Sequence, residues 1–145
     1  MVSATAASPL SRAEAERLAR AVLRAEKVAH AILSVAFVGR GRIRSLNRRY
    51  CGRDRETDVM ALTMTVGTAA RRHGGTVIGD IYVCARVGIA QARRFGATPR
   101  AELRRLLVHG VLHVLGYDHP AGDRRIASPM WRRQERHLAR FAGRP

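Results

Sequence analysis

The segment His109-Gly-Val-Leu-His113-Val-Leu-Gly-Tyr-Asp-His119 constrains this chain more than any other. His109 and His113 are four residues apart, so on a helix their rings leave the same face one turn apart. Leu106, Leu107, Leu112 and Leu115 flank them, as in a helix that packs on a core. Gly116 is the residue type that ends a helix by entering the left-handed region, after which the chain can swing His119 back toward the first two rings. Three neutral imidazoles meeting at a point make a metal site suited to zinc, and three protein ligands leave a fourth position for water or substrate.

The spacing H-x3-H-x2-G-x2-H is similar to that of the metzincin zinc proteases, with one exception. In those enzymes a Glu directly after the first His is the general base; here that position is Gly110, which carries no titratable group. A peptidase mechanism of that kind is therefore disfavoured.

The same segment resembles the signature of the YbeY family, bacterial metal-dependent endoribonucleases of ribosomal RNA maturation. Three further segments agree: Leu46-Asn47-Arg48-Arg49-Tyr50 followed by Thr57-Asp58-Val59, the strand Ile78-Gly79-Asp80-Ile81-Tyr82-Val83-Cys84, and Met130 with Gln134-Glu135. The resemblance runs from about residue 30 to about residue 140. It departs from the family at Cys51, where an Arg usually follows the aromatic residue, at Glu56 in place of Pro, and at Met60-Ala61-Leu62 in place of Leu-Ser-Phe. The resemblance implies a four-stranded sheet with the metal helix lying against it. It also implies single-stranded RNA as substrate, cleavage at the 3′ end of 16S rRNA, and the small ribosomal subunit or its proteins as partners.

A length of 145 residues suits one domain. Residues 1–10 read as a disordered lead-in and 11–145 as the hydrolase domain. The 27 Lys+Arg against 11 Asp+Glu give a formal charge of +16, and Lys27 is the only lysine. Arg forks grip phosphate bidentately and stack on bases, so this surface points to RNA, with a generic basic surface as the alternative. Cys51 and Cys84 are unpatterned and suit free thiols in a reducing cytoplasm. No apolar run is long enough to span a bilayer, and Met1 to Pro9 does not read as a signal peptide.

Along the chain, Ser11 to Glu14 reads as a capping box that opens a helix to about His30. Residues 31–38 read as a buried strand and Arg42 to Tyr50 as a short basic helix. Thr57 to Val66 and Thr76 to Cys84 read as strands, with an edge strand near 67–72 as the candidate fourth. Helices follow at Val87 to Phe95, from Pro99 through His113, and from Gly122 to Arg140. The class is α+β, a small mixed four-stranded sheet packed with about five helices, the metal-binding helix against the sheet.

Zinc, one per chain, held by His109, His113 and His119 would lower the pKa of water toward ~7 or polarise a phosphoryl oxygen. Asp118 has two readings: orienting His119 or accepting a proton, or capping the turn. Asp80 and Asp58 are expected to pair with an Arg beneath the site. Arg53 and Arg55 lie in the loop that the resemblance places beside the metal. There they clamp the scissile phosphate or form a solvated turn, and Arg53 is the candidate catalytic cation. Arg48 and Arg49, with Arg55, are candidates for positioning RNA phosphates. His137 reads as a surface residue. The leading function is a zinc-dependent, single-strand-specific endoribonuclease of rRNA maturation. The alternatives are a metallopeptidase-like hydrolase and a non-enzymatic zinc-containing ribosome-associated factor.

Overall fold

A computed structural model describes residues 2–4, 8–64 and 75–142. The body of the fold is a mixed sheet of three strands, β2 (Ala31–Val38), β3 (Val59–Thr63) and β4 (Val77–Cys84). β2 and β4 run parallel, from Ala31 opposite Val77 to Val38 opposite Cys84, and β3 lies antiparallel on the far side of β4. The expected lead-in is not wholly without structure. Its residues Val2–Ala4 form a short strand, β1, parallel to β2, and give the order β1-β2-β4-β3. The edge strand expected near residues 67–72 lies outside the described residues.

Five α-helices surround the sheet among the described residues: α1 (Arg12–Ala25), α2 (Arg40–Cys51), α3 (Ala85–Phe95), α4 (Pro99–Val114) and α5 (Pro129–Ala142). Strand alternation sends Leu33, Val35, Phe37, Ile81 and Val83 to one face, where they pack with Leu18 and Val22 of α1 and with Leu103, Leu107, Val111 and Leu112 of α4. On the opposite face a smaller cluster of Ile43, Leu46, Met60 and Cys84 lies under α2. The class is α+β, as expected, and the histidine helix lies on the sheet.

The largest departures from the sequence reading are at two helix ends and one cap. Helix α1 stops at Ala25, where Lys27 turns left-handed (φ 58°) and Val28 N–H donates to the Leu23 carbonyl. Ser11 caps it through Glu14 N–H, but the Glu14 side chain does not complete the box. It is buried between Arg100 and Arg104. Helix α5 begins at Pro129 and not at Gly122, because Ser128 Oγ accepts the Trp131 N–H and Pro occupies the first turn; Gly122–Arg125 is a 3₁₀ turn.

Two glycines set how closely α4 approaches the sheet. A Cβ on Gly79 of β4 would lie 2.5 Å from Val114 Cγ1, and one on Gly110 of α4 would lie 2.7 Å from Ile81 Cγ2. Each element thus contributes a missing side chain at the point of contact, and larger residues there would lift the helix.

Candidate metal centre

Helix α4 carries His109 and His113 at its C-terminal end, opened by Thr98 Oγ1 accepting Ala101 N–H and by Pro99 in the first turn. Gly116 then takes φ 97°, and the reversal brings His119 back to the helix end as its spacing suggested. His113 Nε2 lies 3.0 Å from His109 Nε2, and His119 Nε2 lies 3.2 Å from the same atom. These three side chains form a group of ligand type within 4.8 Å of one another.

The other ring nitrogens decide what the cluster can do. His109 Nδ1 is 2.7 Å from Gln134 Oε1, His113 Nδ1 is 3.0 Å from the Tyr117 carbonyl, and His119 Nδ1 is 2.7 Å from the Pro120 carbonyl. All three partners are acceptors, and Gln134 Nε2 donates elsewhere, to Glu135 Oε1, which orients its amide. Each imidazole therefore carries its proton on Nδ1, and three bare Nε2 lone pairs face one another. They cannot hydrogen-bond among themselves, and a cation is what satisfies them together. The residues present fit a metal ion on this ground.

Burial, reinforced by the neighbouring His113, pushes His109 down to about 4. Burial and His119 likewise hold His113 below its ordinary value. Protons thus compete weakly with a metal at neutral pH.

Tyr117, whose carbonyl holds His113, is itself anchored. Its hydroxyl donates to Glu26 Oε2 at 2.9 Å, and Glu26 also receives Arg133 at 3.0 Å and His137 Nε2 at 2.7 Å. Burial pulls the Glu26 carboxyl upward, but the hydrogen bonds from His137, Arg133 and Tyr117 outweigh it and leave it below 4.5. His137 is thus buried inside this network, contrary to its reading as a surface residue.

The structure brings the three histidines together, and among the described residues Asp118 alone of the other candidates is hydrogen-bonded to one of them, through the His119 backbone. Asp118 is exposed and accepts the His119 backbone N–H at 2.8 Å, the turn-capping geometry; the His119 ring is oriented by Pro120 and not by Asp118. Asp58 caps the start of β3 by accepting Val59 N–H at 2.8 Å. Asp80 shares the less buried face of β4 with Ile78 and Tyr82. Neither Asp58 nor Asp80 has the expected Arg partner among the described residues.

Arg48 and Arg49 occupy the last turn of α2, and Arg53 and Arg55 the turn that follows; all four are exposed. Among the described residues none of the four makes a hydrogen bond or ion pair with the histidines. Asn47 Nδ2 holds the turn by donating to the Arg55 carbonyl at 3.0 Å. The residue missed by sequence reasoning is Gln134. Its signal was a polar side chain on the apolar stripe of α5, in line with Met130, Leu138 and Phe141, and it is fully buried.

The profile of the family described as Endoribonuclease YbeY matches residues 3–142. A relative in Anaeromyxobacter sp. (strain Fw109-5), described as Endoribonuclease YbeY, is 39% identical over 93% of this chain and 68% of its own length. One of the same description in Syntrophotalea carbinolica is 35% identical over 87% of this chain and 83% of its own. A third, in Geobacillus kaustophilus, is 40% identical over 75% and 72%. A Thermotoga maritima protein solved in solution superposes with a TM-score of 0.61 at 26% identity, covering 99% of this chain and 90% of the other.

Proposed function

The chain belongs to the YbeY endoribonuclease family, and from that premise we propose that it is a zinc-dependent, single-strand-specific endoribonuclease of rRNA maturation. Its substrate in this reading is the 3′ end of 16S rRNA, met in the cytoplasm on or near the small ribosomal subunit or its proteins. That an RNA-cleaving hydrolase is the class rests on the family. The convergence of three bare Nε2 atoms, each backed by an oxygen on Nδ1, is the observation that carries the metal dependence.

His109, His113 and His119 would hold the ion. When bound, zinc supplies Lewis-acid polarisation of the scissile phosphate and a lowered pKa for water. The protein's own share is to fix geometry and to handle protons and charge. Gln134 Oε1 and the carbonyls of Tyr117 and Pro120 hold the rings so that no imidazole reorients during turnover. Asp118 uses one oxygen for the turn and keeps Oδ2 to accept the proton of the attacking water. Arg53 offers a guanidinium to the charge that develops on phosphorus oxygens, and Arg48, Arg49 and Arg55 grip the flanking backbone without reading sequence. The surplus of basic over acidic side chains, formally +16, draws the polyanion in.

The peptidase alternative loses its remaining support at Gly110. The position that would carry the general base faces the sheet, with Ile81 Cγ2 2.7 Å from where a Cβ would stand. No acid fits there, and none would face the ion.

The test pairs metal content with cleavage. Wild type and His113→Ala are purified, zinc per chain is quantified, and each is incubated with single-stranded ribosomal RNA, with and without chelator. Near-stoichiometric zinc with cleavage, both lost in the variant, is the expected result. Bound zinc with intact RNA would move the chain to the non-enzymatic ribosome-associated reading, and absence of zinc would overturn the central assignment.

A further inference from the structure

Beside His109 the surface opens into a cleft of about 600 Å³, between the start of β3, the end of α3, the flank of α4 and the first turn of α5. Its lining is unusual for an exposed surface. Phe95 is 79% exposed and Ile126 58% exposed, two large apolar groups left facing water, and Trp131 joins them across the opening. Guanidinium groups surround these side chains. Arg105 and Arg125 each lie 5.9 Å from the Trp131 ring centroid, and Arg94 lies 5.9 Å from that of Phe95.

Arg105 is committed, held by Glu135 at 2.9 Å and Glu102 at 3.1 Å. Among the described residues Arg94 and Arg125 have no acidic partner. The two acids that reach the cleft are already engaged, Glu102 by Arg105 and Asp58 by the Val59 N–H. The cleft is therefore flat-walled and aromatic inside, and cationic at its mouth. That chemistry asks for a ligand with an apolar plane at its centre and anionic charge at its edge. Its volume is in the range (~300–1,000 Å³) of sites for ligands of nucleotide size.

We propose that this cleft is a nucleobase subsite, in which an unpaired base next to the phosphate held at the histidine cluster stacks on Trp131, with its flanking phosphates on Arg94 and Arg125. The proposal rests on the RNA-cleaving reading above and adds which part of the strand the protein grips. Bases in a duplex are stacked inside and cannot enter, whereas single-stranded bases splay onto aromatic rings and Arg planes. Preference for single strands then comes from the cleft and not from the metal.

Trp131 is the only tryptophan of the chain, so its emission reports on the cleft directly. The full metal-loaded chain is mixed with a single-stranded RNA hexamer, the matching duplex, or inorganic polyphosphate, and emission is read in the first seconds while cleavage of the same samples is followed on a gel. Quenching by the single strand alone is expected. Trp131→Ala should raise KM about ten-fold with a smaller change in kcat, Trp131→Phe should recover most of the loss, and Arg125→Ala should raise KM a few-fold. Melting curves of each variant verify that it folds. Equal quenching by polyphosphate or duplex, or an unchanged KM in Trp131→Ala, would overturn the subsite. RNA cut with emission unmoved removes the subsite and leaves the nuclease. Emission that moves with no RNA cut leaves the subsite and removes the nuclease, and neither response removes both.

Discussion

The two sides of the candidate site are built on opposite principles. On the histidine side every ring has its second nitrogen bonded to a fixed oxygen, and two of the residues behind those oxygens, Gln134 and Tyr117, are bonded in turn. On the arginine side Arg48, Arg49, Arg53 and Arg55 stand in solvent, and among the described residues none makes an ion pair. The contrast matches what each side would bind on the proposed reading. An ion of fixed coordination is held well only by ligands that do not need ordering, whereas a flexible polyanion is drawn by charge density that needs no fixed geometry. Substitutions should therefore be costly and specific on the first side, and cheap and additive on the second.

The strongest challenge to that contrast is Gly110→Glu, at the contact between α4 and β4. A carboxylate forced against Ile81 should cost more than ~3 kcal/mol and lower the urea midpoint steeply, because overpacking and an unpaired buried charge act together. If Gly110→Glu folds normally and gains casein cleavage, the packing account of that position is wrong. Next in size, Gln134→Ala removes the acceptor on His109 Nδ1 and should weaken zinc affinity about 10–100-fold in a chelator competition, with helix content unchanged. An affinity equal to wild type would mean that His109 needs no orienting partner.

A smaller effect concerns acid. The Glu26 carboxyl is held below 4.5 in the folded chain by His137, Arg133 and Tyr117 against the opposing pull of burial. A lowered folded value stabilises above the unfolded value and is lost as pH falls through the folded one, since the unfolded chain then takes up more protons. Stability should therefore drop on acidification below about pH 4.5, and Glu26→Gln, destabilised at neutral pH, should show a flatter decline there. Glu14, lowered by Arg100 and Arg104 against its burial, acts in the same direction, so the double variant should be flatter still. The smallest effect belongs to the other side of the site. Arg49→Ala should weaken RNA binding a few-fold on any sequence and reduce the slope of log affinity against log salt by about one. A loss of ten-fold or more with an unchanged salt slope would mean that this side, too, is geometrically exact.

The part of the site that was legible in the sequence is the part made by local spacing. His109, His113, Gly116 and His119 fall within one helical end and its turn, and helix geometry with the reversal at Gly116 brings them together. Gln134 lies in a motif segment, but its partner His109 is on another helix and no local rule links the two. The helix ends missed have similar causes. Lys27 turns left-handed without a Gly to announce it, while Ser128-Pro129 did carry a start signal, just past the 3₁₀ turn at Gly122–Arg125. The strand Val2–Ala4 is three residues long and pairs through its backbone, so neither periodicity nor composition marks it. The general rule that carboxylates near a core need counter-charges predicts Arg partners for Asp80 and Asp58. Asp80 in fact lies on the more open face of β4, and Asp58 satisfies itself on a backbone N–H.

The three oxygens behind the histidines differ in how heredity can reach them. Two are backbone carbonyls, at Tyr117 and Pro120, and no codon change removes a carbonyl. Only the third, on Gln134, is encoded by a side chain. Point mutation can alter the oxygen itself at one ligand out of three. Among lineages, gradual adjustment of basicity at the cluster is then expected to concentrate at position 134, while the other two rings are tuned only by changes that bend the turn.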